Sequence, residues 1–573
     1  MGWPCFKSKT YVHITQEPKT VHIVFGFFFI INYIVGTGFL GIPYSFYEAG
    51  MLAGIVTLIV ISFIAWNTAS WELEVMARAQ ALETFREEQK HDSKYLAGDK
   101  LDPQPSLLTP HTEHPRYEIL LTRKFEMTEL CHVFFNRWVK YLYLVIMSIY
   151  SFLAGWSYST VAGSAWSTNL PFSTTTFNQC SDSQFHLSVA PPEEGCLASY
   201  RLCVLFFAVI VVPLSCLDLK EQGFVQMILG LLRFSIIISM VLYCVANLIR
   251  GDPSPHGRSN TTGTVLLFEQ SSEDGFAQQG SCNSSDSEFV TSFHIRGWLI
   301  AIPVFTYAQI LHQGVPALTH PIRQKKLLRW FMMVVFATTS LCYMVLGIVV
   351  SLWFKSDVQE TATLNWGTFI HHPSIPLRTL SYLIILFPSL DVCSAYPLVV
   401  YTIVNNLYTV FMGRDTTQKV YSYEHIIILV MKVVFAVLPI VASLFVTNLV
   451  YVLTYAGLMG FFICFFFPTS LQLASQWKCS KVFGALCKAY NPEHRSNNQD
   501  GTKAEEEEPF LSDGKIQKLP CNSPSHNPIY LTPYSSRVLS HPIAVCTMGG
   551  FGFCLFAFAV ASLQYPPGSS KSC

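Results

Sequence analysis

Charge is what this chain has least of. Only 13% of its 573 residues are Asp, Glu, Lys or Arg, roughly half of the ~25% usual in soluble domains. That argues against a soluble enzyme of this size. Basic and acidic residues balance at 37 each, and no basic block is interleaved with aromatics, so nothing points to a nucleic-acid partner. Catalytic signatures are missing too. There is no HExxH, no GxSxG and no His/Asp/Cys cluster of metal-ligand spacing, which argues against an enzyme and implies no cofactor. A cleavable signal peptide is not expected either. Met1 to Thr20 is polar, and the apolar run from Val21 is too long and lacks a small-residue cleavage site, so the first helix should act as the insertion signal.

What the chain has in excess is apolar and aromatic surface: 51% hydrophobic residues, with 44 Phe, 26 Tyr and 11 Trp. The bilayer is therefore the expected solvent. The hydropathy pattern predicts an all-α polytopic membrane protein with about eleven spans, at 21–47, 51–76, 139–164, 198–216, 224–248, 295–318, 328–354, 377–401, 426–446, 449–471 and 543–563. Lys and Arg concentrate in loops that share a side with the N-terminus, which places that end in the cytosol and the C-terminus outside or in a lumen. The complete sequons at Asn260 and Asn283 both fall in the loop 250–294, outside on this topology. Cys180, Cys196, Cys282 and Cys573 also lie outside. Cys180 with Cys196 is the favoured disulfide, with Cys282 as the alternative partner. Plasma and endolysosomal membranes both fit.

The chain divides into a cytosolic tail (1–20), a first membrane repeat (21–249) interrupted by a polar cytosolic loop (79–137), the outer loop (250–294) and a second membrane repeat (295–475). A second polar cytosolic loop (476–539), the last helix (540–563) and an outer tail (564–573) follow. Both cytosolic loops are too polar to pack, and disorder is expected through most of them. Tyr117 to Leu120 fits a tyrosine sorting signal, making adaptors a candidate partner. Phe125 to Asn136 reads as an ordered, amphipathic lead-in to the third span.

Chemistry is expected where glycine, proline or polar residues interrupt a span. Span one holds Gly36, Thr37, Gly38, Gly41 and Pro43 at membrane depth, although a helix-interior glycine costs about 1 kcal/mol. Unwinding there frees backbone groups, tolerated only in a cavity or buried in protein. Amides around Gly36, Thr37 and Gly38 suit a carboxylate, and the carbonyls ending the first half suit a cation. Close helix packing through small residues is the competing explanation. Span six carries a second candidate break, from Pro303 through Tyr307 and His312 to Gly314 and Pro316. Paired breaks in matching halves point to an inverted-repeat transporter with a midplane site. Glu48, Arg233, Asp391 and Lys432 are the ionisable residues singled out in spans. Asp391, in a polar interruption of span eight, is a candidate for Na+ or proton coupling, against structural pairing with Lys432. Glu48 and Arg233 read as structural.

The stretch "NYIVGTGFLGIPYSFYEAG" (Asn32 to Gly50) is similar to the first helix of the amino acid/auxin permease family. Within it, "FEMTELCHVFFN", "YRLCVLFFAVIVVPLSCLDLKEQGFVQMILGLLR", "LHQGVPALTHPI" and "TLNW" resemble the orphan transmembrane-protein-one-hundred-and-four branch. The resemblance implies a five-plus-five inverted repeat of LeuT-like type, with helices one and six broken and span eleven peripheral. It also implies secondary transport of amino acids coupled to Na+ or H+. Asn32 matches a position beside the ion in Na+-coupled relatives, and Ser389 to Asp391 fall near their helix-eight ligands. Asp391 departs from the usual hydroxyl pattern, and Leu311-His312-Gln313 replaces the family's cysteine-histidine pair. The expected site is thus Gly36, Thr37 and Gly38 on the substrate carboxylate, Tyr307 and His312 shaping specificity, and Asn32, Ser389 and Asp391 near the cation. A transporter-shaped amino acid sensor, signalling through the cytosolic loops, is the alternative.

Overall fold

A computed structural model describes residues 22–96, 121, 123, 125–170, 180, 194–216, 222–251, 293–370, 373–412, 424–490 and 532–563. The two sequons and the Tyr117 motif lie outside the described residues. Among the described residues, nine helices are long and apolar enough to cross a membrane, and a bent pair at the start makes a tenth. The described chain is an all-α polytopic membrane protein.

The bent pair is span one. Helix α1 (Ile23–Val35) ends at Gly36, whose φ of 20° and ψ of −143° leave the helical region, a conformation that glycine adopts at little cost. A 3-10 turn (Gly38–Gly41) follows, then α2 (Ile42–Ala49) with Pro43 in its first turn, where a missing N–H costs nothing. The two halves meet at 51°. Span six repeats this local plan. Helix α8 (Ile295–Ala308) stops at Gln309, a 3-10 turn (His312–Gly314) follows, and α9 (Val315–Thr319) starts with Pro316 in its first turn. Gly41-Ile42-Pro43 and Gly314-Val315-Pro316 occupy the same place in the two turns, with similar glycine dihedrals (−87°, −7° and −96°, −14°).

The remaining spans are α3 (Met51–Leu96), α5 (Arg137–Asn169), α6 (Glu194–Cys216), α7 (Gln222–Arg250), α10 (Leu328–Phe354), α11 (Ile375–Met412) and α12 (Glu424–Ser443). Then come α13 (Leu449–Phe461), joined through a π-turn to α14 (Phe467–Tyr490), and finally α15 (Pro542–Ser562). The short α4 (Met127–Phe134) precedes α5 and carries a reciprocal capping box between Glu126 and Glu129, the ordered lead-in that the sequence indicated.

Two helices outrun their expected ends. Helix α3 continues through Met76 to Leu96, and α14 to Tyr490, so the polar loops begin as helix rather than as unstructured chain. Residues 77–96 are rich in Ala, Leu, Glu, Gln, Lys and Arg, all strong helix formers whether or not lipid surrounds them.

Packing separates two apolar clusters. The smaller is drawn from α5, α6, α11 and α12 alone, through Tyr158, Trp166, Tyr200, Phe207, Tyr396 and Ile440 among others. The larger runs through spans one, two, six, seven and ten and also takes in residues of α5, α7 and α11, such as Tyr150, Met240 and Ile385. The bent spans touch closely: a β-carbon on Gly297 of α8 would lie 1.9 Å from the Glu48 carbonyl oxygen of α2.

Candidate functional site

The two breaks face one another. Thr37 Oγ1, just past the first break, lies 3.1 Å from the Tyr307 hydroxyl at the end of α8. Ser157 Oγ of α5 is 3.4 Å from each of them. Tyr158, the next residue on α5, brings its hydroxyl to 3.9 Å from where a β-carbon of Gly36 would sit. Hydroxyls from α5 and α8 thus converge with that of Thr37 beside the unwound stretch. Such groups donate or accept without carrying charge.

Breaking a helix also orphans carbonyls. Tyr343 of α10 meets one from each break: its hydroxyl is 3.1 Å from the Ala308 oxygen and 3.4 Å from that of Ile34. Its single proton serves the two acceptors in turn or shares between them. Tyr343 therefore ties the two broken spans together at the level where each loses its ladder.

Both explanations offered for the glycines hold in space, at different positions. Gly36 makes the break. Gly38 packs instead, since a β-carbon there would stand 2.7 Å from Ala308 Cα, and Gly41 is tight against Val304 and Leu453.

The second feature touches the chain just before the first break. Arg233 of α7 donates to the backbone carbonyl of Asn32 at 2.8 Å and pairs with the Asp391 carboxylate of α11. Both side chains are buried, at 3% and 5% exposure. Gly230, one turn earlier on α7, makes room for the Asn32 side chain, which a β-carbon would meet at 2.8 Å. The pairing of Asp391 with Lys432 considered from sequence is corrected here: Lys432 Nζ instead approaches the Cys216 carbonyl at 3.3 Å. Ser389 does not join the ion pair, its hydroxyl donating to Leu386 within its own helix at 2.6 Å.

A family model described as transmembrane amino acid transporter protein matches residues 19–492. The chain belongs to that family. Among curated proteins it is similar to the Transmembrane protein 104 homolog of Drosophila melanogaster, 22% identical over 82% of this chain and 91% of that protein. It is also similar to the Caenorhabditis elegans homolog, 25% identical over 66% and 67%, and to mouse Transmembrane protein 104, 22% identical over 70% and 78%. This agrees with the branch that the motifs indicated.

Within this transporter-family chain, His312 stands with other partners than Tyr307 does. Its Nε2 is 2.8 Å from Thr68 Oγ1 and 3.2 Å from the Ala65 carbonyl, both on α3, and 3.7 Å from Cys464 Sγ in the π-turn. A carbonyl only accepts, so the Ala65 contact calls for the Nε2–H tautomer. Gln313 turns the other way and donates to the Tyr33 hydroxyl at 3.3 Å.

Sequence reading did not single out Ser157 or Tyr158, and it passed over Glu72 and Glu74. Nothing marks one serine among the many of span three. The two glutamates did carry a signal, being carboxylates inside an apolar run that ends at Met76. Glu74, fully buried, is within hydrogen-bond distance of Ser540 Oγ (2.5 Å), Gln472 Nε2 (2.6 Å) and Arg78 (2.9 Å), with Arg329 at 3.5 Å. Arg329 also donates to the Tyr534 carbonyl at 2.6 Å, and Trp71 Nε1 to that of Leu539 at 3.3 Å. The segment leading into α15 is thereby fastened to α3, α10 and α14. Glu72 is equally buried, yet neither of its carboxylate oxygens has a hydrogen-bond partner among the described residues. Away from these sites, Cys180 and Cys196 form a disulfide.

Proposed function

We propose that this chain is a secondary active transporter of amino acids, built as two inverted five-span repeats with α15 at the periphery. One observation carries the reading. Spans one and six are broken by the same Gly-x-Pro plan, and their breaks meet through Thr37 and Tyr307. Discontinuous helices paired in this way are how inverted-repeat transporters expose backbone groups to a substrate. The amides of residues 36–38 serve the substrate carboxylate. Carbonyls freed at the breaks serve its ammonium group, and the hydroxyls of Thr37, Ser157, Tyr158 and Tyr307 border its side chain. His312, held by α3, orients the second break rather than meeting the substrate.

The apolar cluster confined to α5, α6, α11 and α12 supports a scaffold role for spans three, four, eight and nine. Spans one, two, six and seven form the moving bundle. With the N-terminus cytosolic, the Glu74 network closes the cytosolic end, and the loop bearing Asn260 and Asn283 is outside or lumenal and glycosylated. A plasma or endolysosomal membrane accommodates this topology.

The test is uptake by the reconstituted full chain, screened across amino acids under Na+ and proton gradients. Uptake of at least one amino acid is expected, falling tenfold or more in Thr37→Val and Tyr307→Phe. Folded protein that moves no amino acid under either gradient would refute the proposal.

A further inference from the structure

We infer that Arg233 is a tethered cation standing where an exchangeable Na+ would otherwise bind, so that this chain binds no Na+ between spans one and eight. The oxygens that sequence reading put forward for a cation there are a carbonyl at the end of the first half of span one and the carboxylate of Asp391. The structure brings both onto one guanidinium, reaching in from span five: Nη1 donates to the Asn32 carbonyl at 2.8 Å and Nη2 to Asp391.

A carboxylate and a backbone carbonyl are hard oxygen donors of the kind that alkali and alkaline-earth cations prefer. The guanidinium satisfies both at once with two hydrogen bonds and a full positive charge. Arg233 and Asp391 are each buried. A Na+ entering this place would have to displace the guanidinium and leave it buried without its counter-charge, an outcome strongly disfavoured in low dielectric. Gly230 supports the arrangement by letting α7 approach Asn32 closely. The inference rests on the transporter reading for its meaning in coupling: any driving ion acts elsewhere, and parting span five from span eight breaks this pair. The site itself is testable without a known substrate.

Binding of radiolabelled Na+ and thermal unfolding in Na+ against K+ are measured on the purified full chain. Wild type and Arg233→Lys, which keeps a tethered charge, should retain the same amount of labelled Na+ and show the same difference in Tm between the two salts, whatever Na+ binds elsewhere in the chain. Arg233→Ala should gain Na+ binding and a rise in Tm of about 2 °C or more in Na+, both lost again in Arg233→Ala/Asp391→Asn. Folded Arg233→Ala without a Na+ response overturns the inference. Because that variant leaves a buried carboxylate unpaired, wild type is also compared with Arg233→Gln/Asp391→Asn, in which both charges are gone. Equal Na+ retention by these two supports the inference, and greater retention by wild type overturns it. Absence of all amino acid uptake would count against the proposed function and leave these binding results standing.

Discussion

Glu72 and Glu74 stand two residues apart on α3, both fully buried, and isosteric replacement by glutamine should separate them. Glu74 holds the ends of three segments together. It takes hydrogen bonds from Arg78, Gln472 and Ser540 and faces Arg329 at 3.5 Å. In Glu74→Gln the amide keeps one acceptor oxygen but turns an NH2 toward donors, and Arg78 and Arg329 lose their counter-charge. Removing one partner of a buried ion pair costs about 3–5 kcal/mol, and hydrogen bonds to charged groups are worth roughly 1.5–3 kcal/mol each. A loss of about 3–5 kcal/mol is therefore expected for Glu74→Gln. In Glu72→Gln no hydrogen bond among the described residues is broken, and a buried charge without a partner is itself unfavourable. Its stability should change by less than about 1 kcal/mol or improve. The assay is thermal unfolding of the two purified variants beside wild type in one detergent. Glu72→Gln proving as destabilising as Glu74→Gln would refute the reasoning, because the difference in their partners would then not govern their energetics.

Gly38→Val should abolish folding or uptake, since its β-carbon meets Ala308 Cα at 2.7 Å, whereas Gly550→Ala, with nothing within 4 Å of its β-carbon, should be neutral or stabilising by up to about 1 kcal/mol; expression and Tm of both variants check this. Tyr343→Phe removes only the hydroxyl shared by Ile34 and Ala308, so it should lower stability by about 0.5–1.5 kcal/mol while reducing uptake far more than Tm. A uniform loss of both would place Tyr343 in general packing instead. For the Cys180–Cys196 bond, the two single serine variants and the double should lower Tm equally. Additive losses would show that the cysteines act separately.

Most of the topology was readable because the signals are local. A glycine pair, a threonine and a nearby proline in an apolar run cannot maintain a helical ladder, and the same turn chemistry recurs at Gly314-Val315-Pro316. The lead-in helix was readable from its spacing, and the cysteine pair from its position in one loop that the charge pattern predicts to lie outside. Helix ends were less legible: α3 runs on to Leu96 because helix formers carry it past the apolar boundary. Partnerships across the fold were the least legible. Asp391 meets Arg233, 158 residues away in sequence, rather than Lys432. Depth and rotation of each helix decide such contacts, and hydropathy specifies neither. His312 and Tyr307 are five residues apart, yet the turn between them sends one ring to α3 and the other hydroxyl to Thr37 and Ser157.

By itself, then, the amino-acid sequence determined a polytopic helical protein and the two places where its helices fail, because lipid demands satisfied backbone and glycine and proline deny it. Only the tertiary structure decided what those breaks face. The hydroxyls of Ser157, Tyr158 and Tyr307 gather with that of Thr37 at the first break, and a guanidinium from span five joins the carbonyl of Asn32, which precedes the break, to Asp391. Such contacts come from helices distant along the chain, whose rotation and depth are set by packing against one another.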